Sequence, residues 1–348
     1  MKKAALVVLF NLLAIFLILA FFEGAMYYLV RHPDLVRRCP KGIRNTIGYL
    51  YATGDRRVIQ FLPECSRHDN EVGYTLKPGS CTFTATEFSN LYRINRHGLR
   101  DDEIALQKPE IIVAGDSYAM GWGVNQEDTF ASVIAKKGGR KVLNTGIASY
   151  GTAREMMLLR RLDTSNMKFL IIQYCENDED ENRAFYQNGN HLSAMTTEEY
   201  DRYTAMNLLP QDYYAGKYIF LKLEKKWKEF KKPKAQSLAT SAEAPMDDVD
   251  LFINAVLHGP VDLSKVQVIT LEAVGKDDFD RYFIRRLTEK IKTGNYPPPI
   301  KNMMTLDITK VIKKDDYYVL DDHWRKSGHE AIGGALLKMV HAAAPAGK

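Results

Sequence analysis

Five short apolar runs, spaced through the second two-thirds of the chain, limit its fold more than any other feature. They are Ile111–Ala114, Lys141–Leu143, Phe169–Tyr174, Val266–Leu271 and a shorter one near Met304–Asp307. Runs this short and this rich in Ile, Val and Leu read as strands buried on both faces. Helical segments lie between them. Phe130–Lys137 is helical in pattern and is closed by Gly138-Gly139, a C-cap pair. Thr152 with Glu155, and Ser327 with Glu330, have the spacing of capping boxes ahead of further helices. Strands alternating with helices predict a parallel sheet covered on both faces.

The first run continues into a sharp break. Ile111–Val124 reads IIVAGDSYAMGWGV, so Ser117 stands just past the C-terminal end of a strand. Open α/β sheets carry their ligands there. A serine at that point has an exposed hydroxyl and a backbone N–H outside the ladder, both of which acyl transfer requires. The hydrolase elbow G-x-S-x-G does not fit, because Ala119 occupies its last position.

The run instead resembles the first block of the SGNH/GDSL family of serine esterases and acyltransferases. Three further stretches resemble that family's later blocks, in the same order. Asn144-Thr145-Gly146 is similar to the second, Cys175-Glu176-Asn177-Asp178 to the third and Asp321-Asp322-His323 to the last. The resemblance extends from about Tyr74 to the C-terminus, around a large dissimilar insert. It implies a three-layer α/β/α fold with a parallel flavodoxin-like sheet. It also implies a nucleophile at Ser117, a base at His323, and oxyanion donors from the Ser117 N–H, the Gly146 N–H and the Asn177 amide. Serine needs a base within hydrogen-bond reach, and imidazole titrates near neutral pH. A carboxylate must then hold the ring. Asp321 is the first choice, since D-x-H occurs in relatives acting on polysaccharides, and Asp322 is the second. The family's more common D-x-x-H is absent, because Leu320 holds that position. Cys175 replaces the usual glycine of the third block and implies a more crowded backbone. Asp116 and Asp178 read as carboxylates that fix their own loops.

The amino terminus is the second strong feature. Ala4–Phe22 has one polar residue, Asn11, and is long enough to span the hydrocarbon core. It lacks a convincing A-x-A cleavage site and reads as an uncleaved single-pass signal anchor. Arg31, Arg37, Arg38, Lys41 and Arg44 outnumber Lys2 and Lys3, which argues for a cytoplasmic catalytic domain. The export-like layout, and a disulfide plausible between Cys65 and Cys81, argue for the outer face, and that orientation is preferred. Cys39 is then unpaired and Cys175 a reduced core residue. Basic residues between Arg31 and Arg44 suit either lipid phosphates or a solvated linker.

The expected organisation is an anchor over 1–30, a juxtamembrane linker over 31–64, a small β-rich lead-in over 65–108, and the α/β domain over 109–348. The last contains an insert at about 183–263. Tyr92–Arg100 resembles an N-x-x-G-[FL]-R lead-in of related envelope proteins, carried by Asn95, Gly98 and Arg100. Arg100 reads as a structural salt-bridge partner, with binding of an anionic substrate as the second reading. Tyr213–Lys232 reads as a basic amphipathic helix whose aromatics pack on its own domain as a lid, with membrane contact second. Lys231–Asp247 reads as disordered. Trp122, Tyr150, Tyr186 and Trp324 suit either sugar stacking or core filling. The charge balance of +5 carries no nucleic-acid footprint, and no cysteine or histidine spacing points to a metal or cofactor.

The expected activity is that of a membrane-anchored serine esterase acting through an acyl-enzyme, on O-acyl esters of an envelope or exported glycan. An O-acyltransferase uses the same machinery, and a lipid esterase is a further enzymatic reading. A silent carbohydrate-binding platform is the reading from another class.

Overall fold

A computed structural model describes residues 2–209, 213–231, 246–276 and 282–343. Helices α1 (Lys2–Arg31), α2 (Pro33–Arg37) and α3 (Lys41–Gly54) come first. Two antiparallel hairpins follow, β1 (Ser66–Asp69) with β2 (Gly73–Leu76), and β3 (Gly79–Ala85) with β4 (Phe88–Ile94). The chain then runs through β5 (Ile111–Ala114), α4 (Ser117–Met120), α5 (Phe130–Gly138), β6 (Val142–Asn144), α6 (Thr152–Leu158) and β7 (Phe169–Cys175). Next are α7 (Asp178–Gln187), α8 (Thr197–Leu208), α9 (Lys217–Lys231) and α10 (Asp248–Leu257). It ends with β8 (Gln267–Ala273), α11 (Phe283–Thr293), α12 (Pro298–Lys301), β9 (Met304–Leu306) and α13 (Lys326–Ala343).

The chain divides into two units. The larger holds the described residues of 58–207, 245–318 and 322–348. Its sheet has the order β6-β5-β7-β8-β9, and every pair is parallel. Counted within the sheet this is the flavodoxin-like order 2-1-3-4-5, with its switch point beside β5 and β7. The five apolar runs are its five strands, displaced by at most two residues at their ends.

Alternation along the strands separates two cores. Ile112, Ala114, Leu170 and Ile172 face Met156 of α6, Phe252 of α10 and Leu287 of α11. Ile111, Val113, Phe169 and Ile171 face Ile134 of α5 and Ile332 and Leu336 of α13. Each such side chain contributes about 1.5–3 kcal/mol by leaving water. The expected three layers are therefore present, and α10, from within the expected insert, is part of the core. Gly139 closes α5 in the left-handed conformation, as its sequence predicts.

Both capping boxes fail to form. Gly151 caps α6, and the Thr152 hydroxyl instead donates to Asp178 Oδ2 at 2.7 Å. Ser327 lies inside α13, and its hydroxyl donates to Asp316 Oδ1 at 2.6 Å. In each case the helix begins at or ahead of the residue expected to cap it, so the hydroxyl lies within its first turn and is turned to an acid instead.

Cys65 and Cys81 form a disulfide, with Cα atoms 5.4 Å apart, while Cys39 and Cys175 are free thiols. Closing this loop contributes on the order of 3 kcal/mol.

The smaller unit holds the described residues of 1–57, 208–244 and 319–321. Its core gathers Val30, Val36, Ile47, Leu50, Tyr51, Tyr218, Val319 and Leu320. The 31–64 segment, expected as a linker, contains α2 and α3. Helix α1 is long and apolar enough over Lys3–Arg31 to cross a membrane, with a mean hydropathy of 3.0 in its most apolar 18-residue stretch. Of the stretch expected to be disordered, residues 232–245 lie outside those described.

Candidate functional site

The turn after β5 is fixed from several sides. Asp116 caps α4, its carboxylate accepting the Tyr118 N–H at 2.9 Å. Gln173 Oε1, from neighbouring β7, accepts the Asp116 and Ala119 N–H groups at 3.1 and 3.0 Å. A Cβ on Gly115 would lie 2.6 Å from both Ala119 Cβ and Gln173 Oε1, so only glycine fits. This clamp presents Ser117 at the C-terminal end of the sheet, beside the switch point.

His323 meets it. Its Nε2 lies 2.6 Å from Ser117 Oγ, and both side chains are buried. The imidazole is held between two rings, Tyr118 at 4.5 Å between centroids and Trp122 at 5.0 Å and nearly parallel. The Tyr118 hydroxyl donates to the Asp322 carbonyl at 2.9 Å, and the Tyr318 N–H donates to the His323 carbonyl at 3.0 Å. The histidine thus sits in the loop before α13, as the sequence predicts.

The two candidate carboxylates differ in surroundings. Asp322 is exposed, and its Oδ1 lies 3.6 Å from His323 Nδ1, beyond hydrogen-bond length. Asp321 is buried, with Oδ2 3.5 Å from Arg56 Nη1.

Gly146 follows β6. A Cβ there would meet Met120 N at 2.3 Å, so the glycine is required for the close approach to α4. Its N–H donates to Asn144 Oδ1 at 3.0 Å, and Asn144 Nδ2 donates to the Ala119 carbonyl at 2.8 Å. Asn177 stands exposed just past β7, immediately ahead of α7. Ser117, Gly146 and Asn177 therefore follow the three adjacent strands β5, β6 and β7.

Behind the site lies a buried acid pair. Asp178 accepts from Thr152, while neither carboxyl oxygen of Glu155 has a hydrogen-bond partner among the described residues. Burial drives both acids well above the ordinary carboxylate range, with added repulsion from Asp178 on Glu155 and from Asp116 on Asp178. Burial likewise raises Asp116 and the Cys175 thiol, which is thereby kept protonated.

Arg100 departs from its expected salt bridge. Its buried guanidinium lies over the Tyr92 ring at 3.5 Å and donates to the carbonyls of Met120, Gly121 and Val124 at 3.2, 2.5 and 2.6 Å. It ties down the loop that carries Trp122. Trp122 itself packs edge-on to Phe83 at 4.7 Å, with its plane against His323. Tyr150 and Trp324 are core residues, and Tyr186 is exposed. Gln173 as a clamp, Arg100 as an anchor for the loop and the stacking of Tyr118 and Trp122 on His323 were not read from the sequence, which offered Trp122 for sugar stacking or core filling. The glycine-aromatic run Gly121-Trp122-Gly123 was the available signal for that stacking.

No family model matches the chain, and no curated protein matches it. Among solved structures it is similar to a lipolytic protein of the G-D-S-L family from Desulfitobacterium hafniense. That likeness has 13% identity over 66% of this chain and 97% of the other, with a TM-score of 0.36. It is also similar to a carbohydrate esterase family 2 enzyme with a carbohydrate-binding domain from Corynascus thermopiles (Myceliophthora fergusii). There the identity is 12% over 68% of this chain and 66% of the other, with a TM-score of 0.33. The assignment of fold rests on the strand order described above and not on these likenesses.

Proposed function

We propose that the protein is a serine esterase of SGNH/GDSL type, anchored in a membrane by α1, that removes O-acyl groups from an envelope or exported glycan. The observation that carries this reading is the 2.6 Å approach of His323 Nε2 to Ser117 Oγ at the switch point of a parallel sheet. A buried serine–imidazole pair places a nucleophile beside its base, which supports this reading.

In the proposed reaction Ser117 Oγ attacks the ester carbonyl and its proton passes to His323 Nε2. The tetrahedral intermediate places its oxyanion toward the Ser117 N–H, the Gly146 N–H and the Asn177 amide. The Gly146 N–H, which donates to Asn144 in this structure, must share or leave that bond as charge develops. Collapse breaks the ester C–O bond, and the imidazolium returns its proton to the leaving alkoxide. Water then attacks the acyl-enzyme by the same route and frees Ser117. Asp321 is assigned to orient the imidazole and balance its charge, because its buried position suits a fixed carboxylate better than the exposed Asp322 does. The Cys65–Cys81 disulfide supports an oxidising, extracytoplasmic location for this domain.

The test is turnover of p-nitrophenyl acetate and of an O-acetylated glycan by the full chain in detergent. Turnover that disappears in both Ser117→Ala and His323→Ala, with circular dichroism unchanged, is the expected result. Equal turnover in wild type and variants would refute the reading.

A further inference from the structure

Helix α9 packs Tyr218 and Leu221 into the core of the smaller unit, and several of its lysines turn inward beside them. Lys217 Nζ lies 3.0 Å from Asp55 Oδ1, Lys222 Nζ donates to Thr46 Oγ1 at 3.1 Å, and Lys225 Nζ sits 4.2 Å above the Tyr49 ring. Tyr218 is fully buried, and its hydroxyl donates to Asp55 Oδ2 at 3.1 Å. A second apolar stripe is turned outward. Phe220, Leu223 and Trp227 are 59%, 60% and 57% exposed and lie at i, i+3 and i+7 on one stripe.

The position of α9 within its unit indicates what covers the stripe. Glu23 of α1 follows directly on the last residue of the apolar stretch, Phe22. Its carboxylate accepts the Tyr218 and Ile219 N–H groups at 3.1 and 3.0 Å, supplying from another helix the cap that the start of α9 needs. Tyr27 of α1 packs edge-on to Tyr213 at 4.5 Å, and Arg31 donates to the Tyr218 hydroxyl at 3.1 Å. Helix α9 therefore starts at the level where α1 changes from apolar to polar. Along α1 the side chains of Leu6, Phe10, Phe16 and Phe21 are themselves exposed. The exposed Lys226 and Lys228 flank the α9 stripe, placed to reach phosphates while the aromatics stay among acyl chains.

We infer that α9 is an interfacial helix whose Phe220–Leu223–Trp227 face lies in the acyl-chain boundary of an anionic lipid surface, beside the membrane-spanning α1. The inference rests on the proposed anchoring by α1 and adds a second, in-plane contact. It replaces the lid expected for this segment, since a lid would turn these aromatics toward its own domain.

The test uses the full chain in phosphatidylethanolamine–phosphatidylglycerol vesicles. Trp122 and Trp324 are buried, so the difference between wild type and Trp227→Phe isolates the emission of Trp227. Most of that difference should be lost in vesicles whose chains are brominated near the glycerol end, and acrylamide in the water should leave it intact. Quenching by acrylamide without quenching by bromine would mean a solvated face and would overturn the inference. Shielding from both, varying with protein-to-lipid ratio, would identify a second copy as the occupant and would also overturn it. Alkaline extraction of the same vesicles separates the two readings. Release of the chain would defeat the anchor, and the inference with it. Retention with an unquenched Trp227 would defeat the inference alone.

Discussion

Helices α13 and α9 carry similar apolar content and use it in opposite ways. In α13, Ile332, Leu336 and Val340 are buried against the sheet and α5. In α9, Phe220, Leu223 and Trp227 face outward while lysines face in. An apolar stripe fixes that a helix has a partner, but not whether the partner is protein or lipid. In the larger unit the partner is the sheet, and the same economy of close contacts fixes the turn at Ser117. In the smaller unit α9 gives Tyr218 and Leu221 to the core and leaves a second apolar stripe exposed, for which the proposed partner is lipid.

Changes in the larger unit should therefore have large effects in detergent, and changes on the outward face of α9 almost none. The largest effect is expected at the reacting atoms, where Ser117→Ala should lower esterase turnover roughly 10⁴-fold or more without changing the melting temperature much. Residual turnover near wild type would break the contrast at its strongest point. Gly146→Ala forces a methyl against Met120 N, which lies 2.3 Å from the Cβ position. Thermal unfolding should reveal a loss of about 1–3 kcal/mol, and turnover should fall with it. Gln173→Ala removes the acceptor of two N–H groups beside the nucleophile, and about 1–3 kcal/mol should be lost for each group left unpaired.

A pH series sharpens the same contrast. His329 lies buried in the larger unit, with Nδ1 accepting the Phe130 N–H at 3.2 Å, and burial pushes its pKa down to about 3. The folded protein keeps it neutral, whereas the unfolded chain protonates it below about pH 6.5. Stability should then fall by about 1.4 kcal/mol per pH unit from its account, from about 6.5 toward 3. In His329→Gln this part of the acid loss should vanish, and an unchanged acid limb in a melting series would exclude the assignment. The smallest effect is expected for Phe220→Ser combined with Leu223→Ser, within about 0.5 kcal/mol in detergent. Tyr218→Ala, on the inward face of the same helix, should cost about 3–5 kcal/mol. Equal losses from the two faces would show that the stripe is packed on protein.

Much of the α/β fold was legible because its strands are short, apolar and buried on both faces, so Ile111–Ala114 could be placed to the residue. The disulfide was legible from the loop-rich setting of Cys65 and Cys81. Ser117 and His323, more than 200 residues apart, were named from local motifs, and the fold brings them to 2.6 Å. Thr152 and Ser327 have the spacing of caps, but α6 begins at the first and α13 ahead of the second, so both lie within a first turn. Gln173 reads as one polar residue in an apolar strand, and only the adjacency of β5 and β7 makes it a clamp. Arg100 was expected to meet a carboxylate and meets three carbonyls. Helix α9 has a period that any sequence reading recovers, while the side that faces outward depends on Asp55, Thr46 and Tyr49 from the preceding helical segment.

The central claim is that Ser117 is an activated nucleophile, and covalent labelling tests it most directly. The full chain in detergent is treated with a fluorophosphonate, digested and mapped by mass spectrometry. The account predicts one adduct, on the peptide carrying Ser117, that disappears in His323→Ala. The absence of any adduct on the folded wild-type chain, or an adduct elsewhere that persists in Ser117→Ala, would contradict it.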